Sequence, residues 1–150
     1  MKAFRFRAHA ALQLRRREHD QALVVLAQAQ TALVLAERGV SEADQALRTA
    51  DEQLTAALRQ GRTDTPLEWY RSWKLRCAAA RTRRERERQA RETDLQAAAA
   101  AAHETHRRVR ALERLQEHLL AAWRRAAAQE EQKTIDALAA SRFVRRKDVP

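Results

Sequence analysis

A heptad repeat between residues 8 and 57 constrains the fold more than any other feature of this sequence. Apolar residues recur there at alternating spacings of four and three, the seam of a left-handed coiled coil. From Ala22 onward, alanine occupies one register and leucine or valine occupies the other. Alanine lets two helices approach closely and suits large side chains on an antiparallel partner. The seam consists of Ala8, Leu12, Arg15, His19, Ala22, Leu26, Ala29, Leu33, Ala36, Val40, Ala43, Leu47, Ala50, Leu54 and Ala57.

One short segment supplies the only strong break in the helical pattern. Gly61 suits the left-handed position after a helix end, and Thr65, Pro66 and Glu68 suit the cap and first turn of a new helix. A helix end and a helix start this close together predict that the chain folds back on itself. We therefore expect one hairpin domain over 1–150, with helices at about 4–60 and 66–142, a loop at 61–65 and a tail at 143–150.

The composition agrees with an all-α fold, a long two-helix antiparallel coiled coil. The chain has only two glycines and two prolines, and good helix formers such as Ala, Arg, Glu, Gln and Leu dominate it. A hairpin centred near Thr63 places residue n opposite about residue 126 − n. The second helix is the longer one, so its last turns are expected to extend beyond the paired region.

The apolar stripe of the second helix is less regular than that of the first. It begins with Tyr70, Trp73, Cys77 and Ala80 and resumes in the same phase from Ala98. Between these two parts the same phase carries charged residues. Either arginine stems cover the first helix there, or the helices splay and leave the first helix available to a partner. The charged positions are Arg84, Glu87, Arg91 and Asp94.

Positive charge is concentrated in the second half of the chain. The net charge is +10, of which residues 1–60 contribute +2 (nine basic, seven acidic) and residues 61–150 contribute +8 (21 basic, 13 acidic). Such an excess indicates acidic partners: proteins, nucleic acid or an anionic membrane surface. The arginine-rich run 81–91 is typical of a salt-bridged, solvated face. Nucleic-acid binding is the functional alternative.

No pattern indicates an enzyme, a cofactor or a metal site. The sequence lacks a glycine-rich phosphate loop, a nucleophile elbow and a zinc pattern, and His103 and His106 have no third ligand at a suitable spacing. The single cysteine excludes an internal disulfide and fits a reducing cytosol. We expect no membrane span or signal sequence, since no apolar run approaches roughly 20 residues.

Three aromatic residues at the start of the second helix, Trp69, Tyr70 and Trp73, are too bulky for one narrow seam. They either cap the end of the hairpin against Leu58 and Leu67 or form a partner-binding surface, where tryptophan is enriched. Both interpretations hold for Trp69, and the partner interpretation is favoured for Trp73. The nearby Cys77 lies on the apolar phase and is expected to be a small buried hydrophobe.

The two ends of the sequence resemble the flagellar export protein FliJ family. The resemblance rests on the opening segments 4–7 (Phe-Arg-Phe-Arg) and 12–18, and on the closing segment 131–139 followed by Arg142. Chain length and hairpin layout also match, so the resemblance spans the whole chain.

The resemblance implies a cytoplasmic coiled coil at the inner face of the type III export apparatus. FliJ-like proteins enter the ring of the hexameric export ATPase (FliI-like), contact the export gate protein (FlhA-like) and handle export chaperones. In the gate-contacting pattern that the resemblance implies, Trp73 takes the aromatic position, Cys77 takes the aliphatic position in place of leucine, and Tyr70 takes a preceding aromatic position. Together with Trp69 of the aromatic group, these are the expected gate residues. The expected ATPase contacts lie at the two chain ends: Arg5, Arg7, Arg142, Arg145 and Arg146.

Three alternatives remain at this stage. The equivalent stalk of a virulence injectisome shares the fold, the charge and the mechanism. A basic coiled-coil nucleic-acid binder would bind less tightly as salt rises, because counterions are released. A purely structural dimer would pair through Leu33–Ala43.

Overall fold

The computed structural model of the chain describes residues 3–61 and 64–147, with side chains described up to residue 142. Within this part of the chain there are two α-helices, α1 (His9–Gln60) and α2 (Leu67–Lys147), and no strand. The two helices pack against each other. The all-α, two-helix antiparallel fold predicted from the heptad repeat is confirmed.

The contacts between the helices divide the chain into two units. The first unit comprises the chain up to Glu18 together with the chain from Thr105 onward, and the second unit comprises His19–Glu104. Each unit thus contains a part of α1 and a part of α2. The aromatic residues at the start of α2 belong to the second unit, and both chain termini belong to the first.

In the second unit the predicted seam of α1 faces α2. No seam position from His19 to Ala57 is exposed, and three of its alanines are buried, Ala36, Ala50 and Ala57. Two ion pairs join the antiparallel helices, one between Lys74 and Asp51 and one between Arg81 and Asp44 (2.9 Å). Both pairs lie within one residue of the register predicted for the hairpin. The buried residues of α2 in this unit are Cys77, Ala98 and Ala102.

In the first unit the core is centred on Leu12, which is only 1% exposed. Val109 of α2 is also buried, and an ion pair between Arg16 and Glu113 (2.9 Å) joins the two helices nearby. This pair lies three residues from the predicted register. The seam in this unit is therefore continuous with the heptad pattern of α1, while α2 is offset from expectation.

The predicted phase of the α2 stripe is wrong over 84–94 and at most positions beyond Ala98, although Ala98 is buried and Ala80 and Leu112 are half-buried as predicted. Arg84, Glu87, Arg91 and Asp94 are exposed, whereas Glu85, Arg88 and Leu95 are half-buried. Spacings of four and four at Cys77, Arg81 and Glu85 shift the seam by one residue. The sequence hides this shift because residues 97–102 are all alanine, so any phase looks equally apolar. The half-buried or buried positions of α2 after Cys77 are Ala78, Ala80, Arg81, Glu85, Arg88, Leu95, Ala98, Ala102, Thr105, Val109, Leu112, Glu113, Gln116, Leu120, Trp123 and Ala127.

Two predicted helix boundaries also need correction. α1 begins at His9 rather than Phe4, because residues 4–7 alternate aromatic and basic side chains with a period of two, which suits extended chain. α2 ends at Lys147 rather than Arg142. No helix-breaking residue follows Arg142 until Pro150, and basic residues at a helix C-terminus interact favourably with the helix dipole.

One stretch of α1 bears on the expectation that the chain has no membrane span. In the described residues α1 is long and apolar enough, by length and composition, to cross a membrane, and little of the qualifying stretch is buried. The apolar character comes from residues 21–36, which carry no charge. This run covers about 24 Å of helix at 1.5 Å per residue, short of the roughly 30 Å hydrocarbon core of a bilayer.

The two glycines have different roles. A Cβ atom added to Gly39 would lie 3.4 Å from Cδ of Arg84, so the arginine stem lies on α1 there, as the stem-covering interpretation predicts. Gly61 ends α1 with a φ of 67°, the left-handed conformation predicted for it. Gly39 is therefore replaceable, whereas Gly61 is required by its backbone.

Alanine substitution at the two glycines should change stability in opposite directions. Gly39→Ala makes only ordinary contact with Arg84 and should raise the free energy of unfolding by about 1 kcal/mol, because alanine favours helix. Gly61→Ala should lower it by about 1 kcal/mol, because a side chain disfavours positive φ. Thermal melts followed by circular dichroism measure both. Equal shifts of the same sign would show that this assignment of roles is wrong.

The ion pair between Arg16 and Glu113 in the first unit changes the pKa of the Glu113 carboxyl. Hydrogen bonds from Arg16 and then Arg110 hold the pKa of Glu113 below its ordinary value of 4.5. A lowered pKa in the folded state stabilises the fold above the ordinary value. This contribution is lost as the pH falls through the lowered pKa.

Arg16→Gln should therefore raise the pKa of Glu113 toward 4.5, with a smaller rise for Arg110→Gln. The stability difference between Arg16→Gln and the wild type should be largest above pH 4.5 and should vanish in stronger acid. Carboxyl carbon chemical shifts recorded during an acid titration measure the pKa. An unchanged titration in Arg16→Gln would mean that the cross-helix pair does not persist in solution.

Candidate functional site

The first candidate surface is the aromatic cluster, defined as Trp69, Tyr70 and Trp73. Because Trp69 and Trp73 are four residues apart on a helix, their rings share one face and stack, with centroids 6.1 Å apart and an interplanar angle of 13°. Tyr70 meets Trp69 edge to face at 5.2 Å. The guanidinium of Arg76 lies 5.6 Å from the centre of the Trp73 ring, a cation–π geometry.

The cluster leaves much of its apolar area open to solvent. Trp69 is 46% exposed and Trp73 is half-buried, so the more exposed ring is the one for which sequence reasoning favoured neither interpretation. Leu58 is also exposed, hence the rings do not cover it as the capping interpretation requires. A surface groove beside the cluster is lined by Gln53, Ala56, Ala57, Gln60, Thr65, Trp69 and Tyr70.

Cys77 is the expected gate residue that the structure sets apart from the others. Its side chain is only 6% exposed and belongs to the seam with α1, as the interpretation of a small buried hydrophobe predicts. A partner docking on the outside of α2 would meet the indole rings and not the thiol. The accessible members of the gate set are therefore the three aromatic residues.

The second candidate surface is the N-terminal strap, defined as residues 3–8 before α1. Phe4 and Phe6 are half-buried whereas Arg5 and Arg7 are exposed. The Phe4 ring lies 6.2 Å from that of Trp123 on α2. Between strap and helix lies an apolar cleft that is also lined by Leu115 and Leu119. The strap thus holds two arginines toward solvent beside an apolar cleft.

The third candidate surface is the C-terminal extension, defined as residues 128–142 of α2. All of its residues are exposed, including Ile135 and Leu138, which lie one helical turn apart. Arg142 ends the extension. The side chains of Arg145 and Arg146 lie outside the described residues. The predicted projection of α2 beyond the paired region is confirmed for residues 128–142.

The structure does not bring the basic residues of the two chain ends together. The strap lies beside residues 115–123 of α2, whereas Arg142 lies 19 residues beyond Trp123, about 28 Å along the helix. A partner that contacts both would need an extended surface. A single acidic side chain or a small anion could not bridge Arg7 and Arg142.

The arginine-rich run 81–91 is largely engaged in ion pairs. Arg88 contacts both Glu85 and Glu92, and its hydrogen bond lowers the pKa of Glu85. Hydrogen bonding to Asp44 raises the pKa of Arg81. These pairs support the interpretation of a salt-bridged face over that of a phosphate-binding one. The other pairs in this region are Arg84 with Glu87 and Arg91 with Asp94.

The histidine pair offers no metal site. His103 and His106 are both exposed. No group of three His, Cys, Asp or Glu side chains suited to a metal ion occurs in the part of the chain that the structure describes.

A comparison with protein families decides the identity. The family model described as "Flagellar FliJ protein" matches residues 9–148, nearly the whole chain. The chain belongs to the FliJ family. Comparisons with curated proteins and with solved structures find no match.

Membership of the FliJ family supports a role in flagellar, type III protein export. It agrees with the resemblance of segments 12–18 and 131–139, which lie inside the matched region. The strap lies just outside this region. Its arginines are therefore supported by the geometry of this chain and not by the family match.

Sequence reasoning missed two apolar parts of these surfaces. The sequence analysis predicts helix at Phe4 and Phe6, whereas the structure places them before α1. Their period-two alternation with Arg5 and Arg7 is the signal that indicates extended chain. Ile135 and Leu138 belong to the closing segment 131–139 of the family resemblance, but the sequence analysis does not identify them as an exposed apolar pair. Their position beyond the reach of α1 was the available signal.

Loss of the Phe4 ring should release the strap from α2. In a background of Trp69→Phe and Trp73→Phe, Trp123 is the only indole, and Phe4→Ala should shift its emission to the red and increase quenching by acrylamide. Arg5→Ala is the matched control and should change neither, because its side chain faces solvent. If Phe4→Ala leaves the emission of Trp123 unchanged, the strap does not pack on α2 in solution.

Proposed function

We propose that this chain is the central stalk of a flagellar export ATPase, which enters the ATPase ring and couples it to the export gate. The observation that carries the proposal is the family match over residues 9–148, joined to a two-helix coiled coil with separate basic and aromatic surfaces. In this role the protein acts by docking and not by catalysis. It resides in the cytoplasm, at the cytoplasmic face of the inner membrane, and reaches the membrane only through the gate.

In this proposal the first unit is the part of the chain that contacts the ATPase ring. The strap and the C-terminal extension offer exposed arginines, Arg5, Arg7 and Arg142, beside unburied apolar groups. Exposed arginines beside unburied apolar groups in the same unit would suit a ring wall that offers both acidic and apolar side chains. The C-terminal extension supplies a single helix, and its apolar pair Ile135 and Leu138 can pack against such a wall.

In this proposal the aromatic cluster of the second unit binds the export gate protein. Stacked indoles with one ring 46% exposed provide a rigid apolar anchor, the kind of group that dominates binding energy at interfaces. Tyr70 adds a hydroxyl at the edge of the cluster. Export chaperones are a further class of partner for the chain, with no residues assigned.

The alternatives receive less support. The family match is to the flagellar protein, which favours a flagellar system over a virulence injectisome. Nucleic-acid binding is disfavoured, because the densest basic run already pairs with acidic residues.

The test is a crossed comparison of two variants with two partners. ATP hydrolysis by the purified export ATPase should rise as the chain is added and should saturate near one copy per hexamer. Arg5→Ala/Arg7→Ala/Arg142→Ala should reduce this stimulation at least fivefold and leave capture by the cytoplasmic part of the gate protein intact. Trp69→Ala/Trp73→Ala should reduce capture by the gate protein at least fivefold and leave the stimulation of ATP hydrolysis intact.

Each variant serves as the fold control of the other, and nuclease treatment removes bridging nucleic acid. If the arginine variant loses gate binding while the tryptophan variant loses ATPase stimulation, the two assignments are reversed. Absence of stimulation by the wild-type chain, together with co-purified nucleic acid, would overturn the stalk proposal.

A further inference from the structure

α1 carries a second heptad seam on the face that turns away from α2. We name it the outer seam and define it by Asp20, Val24, Ala27, Thr31, Val34 and Arg38. Its spacings are four, three, four, three and four, the same alternation as in the inner seam. At 100° per residue its direction lies about 150° from that of the inner seam. All six residues belong to the second unit.

The outer seam is exposed along its whole length. All six side chains are exposed, with Val24 at 50% and Val34 at 47%. Leu23 and Leu35 flank the seam and are exposed as well. The outward face of a two-helix coiled coil is ordinarily charged or polar, yet residues 21–36 carry no charge. The pairing of α1 with α2 does not explain this apolar face.

The shape of the outer seam suits another helix. Its large side chains lie toward the ends and its small ones, Ala27 and Thr31, lie at the centre, which leaves a shallow apolar groove lined by Val24, Ala27, Gln28, Thr31 and Leu35. Small central residues allow two helix axes to approach closely. The Thr31 hydroxyl already donates a hydrogen bond to the carbonyl oxygen of Ala27 (3.1 Å). Burial of Thr31 would therefore leave no hydroxyl donor unpaired.

We propose that the outer seam binds the outer seam of a second copy of this chain in an antiparallel arrangement. The two-fold axis crosses the contact at the height of residue 29 along α1. In this register Val24 packs against Val34 of the second copy, and Ala27 packs against Thr31. A two-fold axis repeats each of these contacts.

Charge complementarity at the ends of the seam selects this occupant. The same register places Asp20 opposite Arg38 of the second copy, and the two-fold axis supplies the pair twice. In the described part of the chain neither residue takes part in an ion pair within its own chain, so both charges are available. A parallel arrangement would instead oppose Asp20 with Asp20 and Arg38 with Arg38, which is unfavourable.

The extent of the seam predicts a weak dimer. From Asp20 to Arg38 the seam spans about 27 Å of helix, with four apolar or small layers between the charged ends. Such a contact lies at the low end of the size range of specific interfaces, where association is transient. The dimer is independent of the proposed stalk function and differs from self-pairing through Leu33–Ala43, since it leaves the inner seam in place.

Sedimentation equilibrium of the full chain across a wide concentration range tests the proposal. The wild type should show a reversible monomer–dimer equilibrium. Asp20→Arg alone and Arg38→Asp alone should each weaken dimerisation at least tenfold, because like charges then meet at both ends. An equimolar mixture of these two variants should regain the wild-type affinity, and so should the double variant.

Val24→Glu is a second variant at the centre of the apolar contact and should abolish the dimer. Its helicity and melting temperature should match those of the wild-type monomer, since Val24 does not face α2. A chain that is monomeric at all concentrations, or a dimer that is unaffected by both charge reversals, would overturn the proposal. Recruitment of the wild-type monomer, but not of Val24→Glu, to phosphatidylglycerol vesicles would assign the outer seam to lipid and would equally overturn it.

Discussion

The narrow inner seam between α1 and α2 is the constraint on which the rest of the molecule depends. Most of its buried positions are alanine, and a buried methyl contributes about 0.8 kcal/mol where a buried leucine contributes about 1.5–3 kcal/mol. The seam must therefore be long to be stable. Ion pairs such as Arg81 with Asp44 then supply the register that small side chains define only loosely.

A seam this narrow leaves most of each helix open to partners. Trp69 and Trp73 stack on each other at the start of α2, and Trp69 stays 46% exposed. The strap packs its two phenylalanines on α2 and directs its arginines to solvent. The C-terminal extension continues beyond the part of α2 that α1 covers, and its side chains are exposed. These candidate surfaces share one physical origin, namely apolar groups that the pairing of α1 with α2 cannot bury.

The sequence predicted those features that depend on spacing and on backbone conformation. The inner seam of α1 follows from its alternating alanine and leucine, and the end of α1 follows from Gly61. The phase of α2 was not predictable, because the alanine run 97–102 looks the same in every register and because arginine stems such as that of Arg88 occupy seam positions. The sequence predicts helix for the strap, because a period-two pattern of four residues is too short to outweigh the strong helical pattern that follows. The sequence analysis does not predict the outer seam, because the more regular inner seam already accounts for the helical pattern of the same residues.

Hydrogen exchange of the chain with and without the purified export ATPase tests the central claim most directly. The C-terminal extension is an unpaired helix, so its amides should exchange quickly in the free chain and slowly when a partner covers them. Docking of the first unit in the ATPase ring predicts new protection in the strap and in residues 128–142, with residues 69–73 unchanged. Protection confined to the aromatic cluster, with fast exchange persisting in the C-terminal extension, would contradict it.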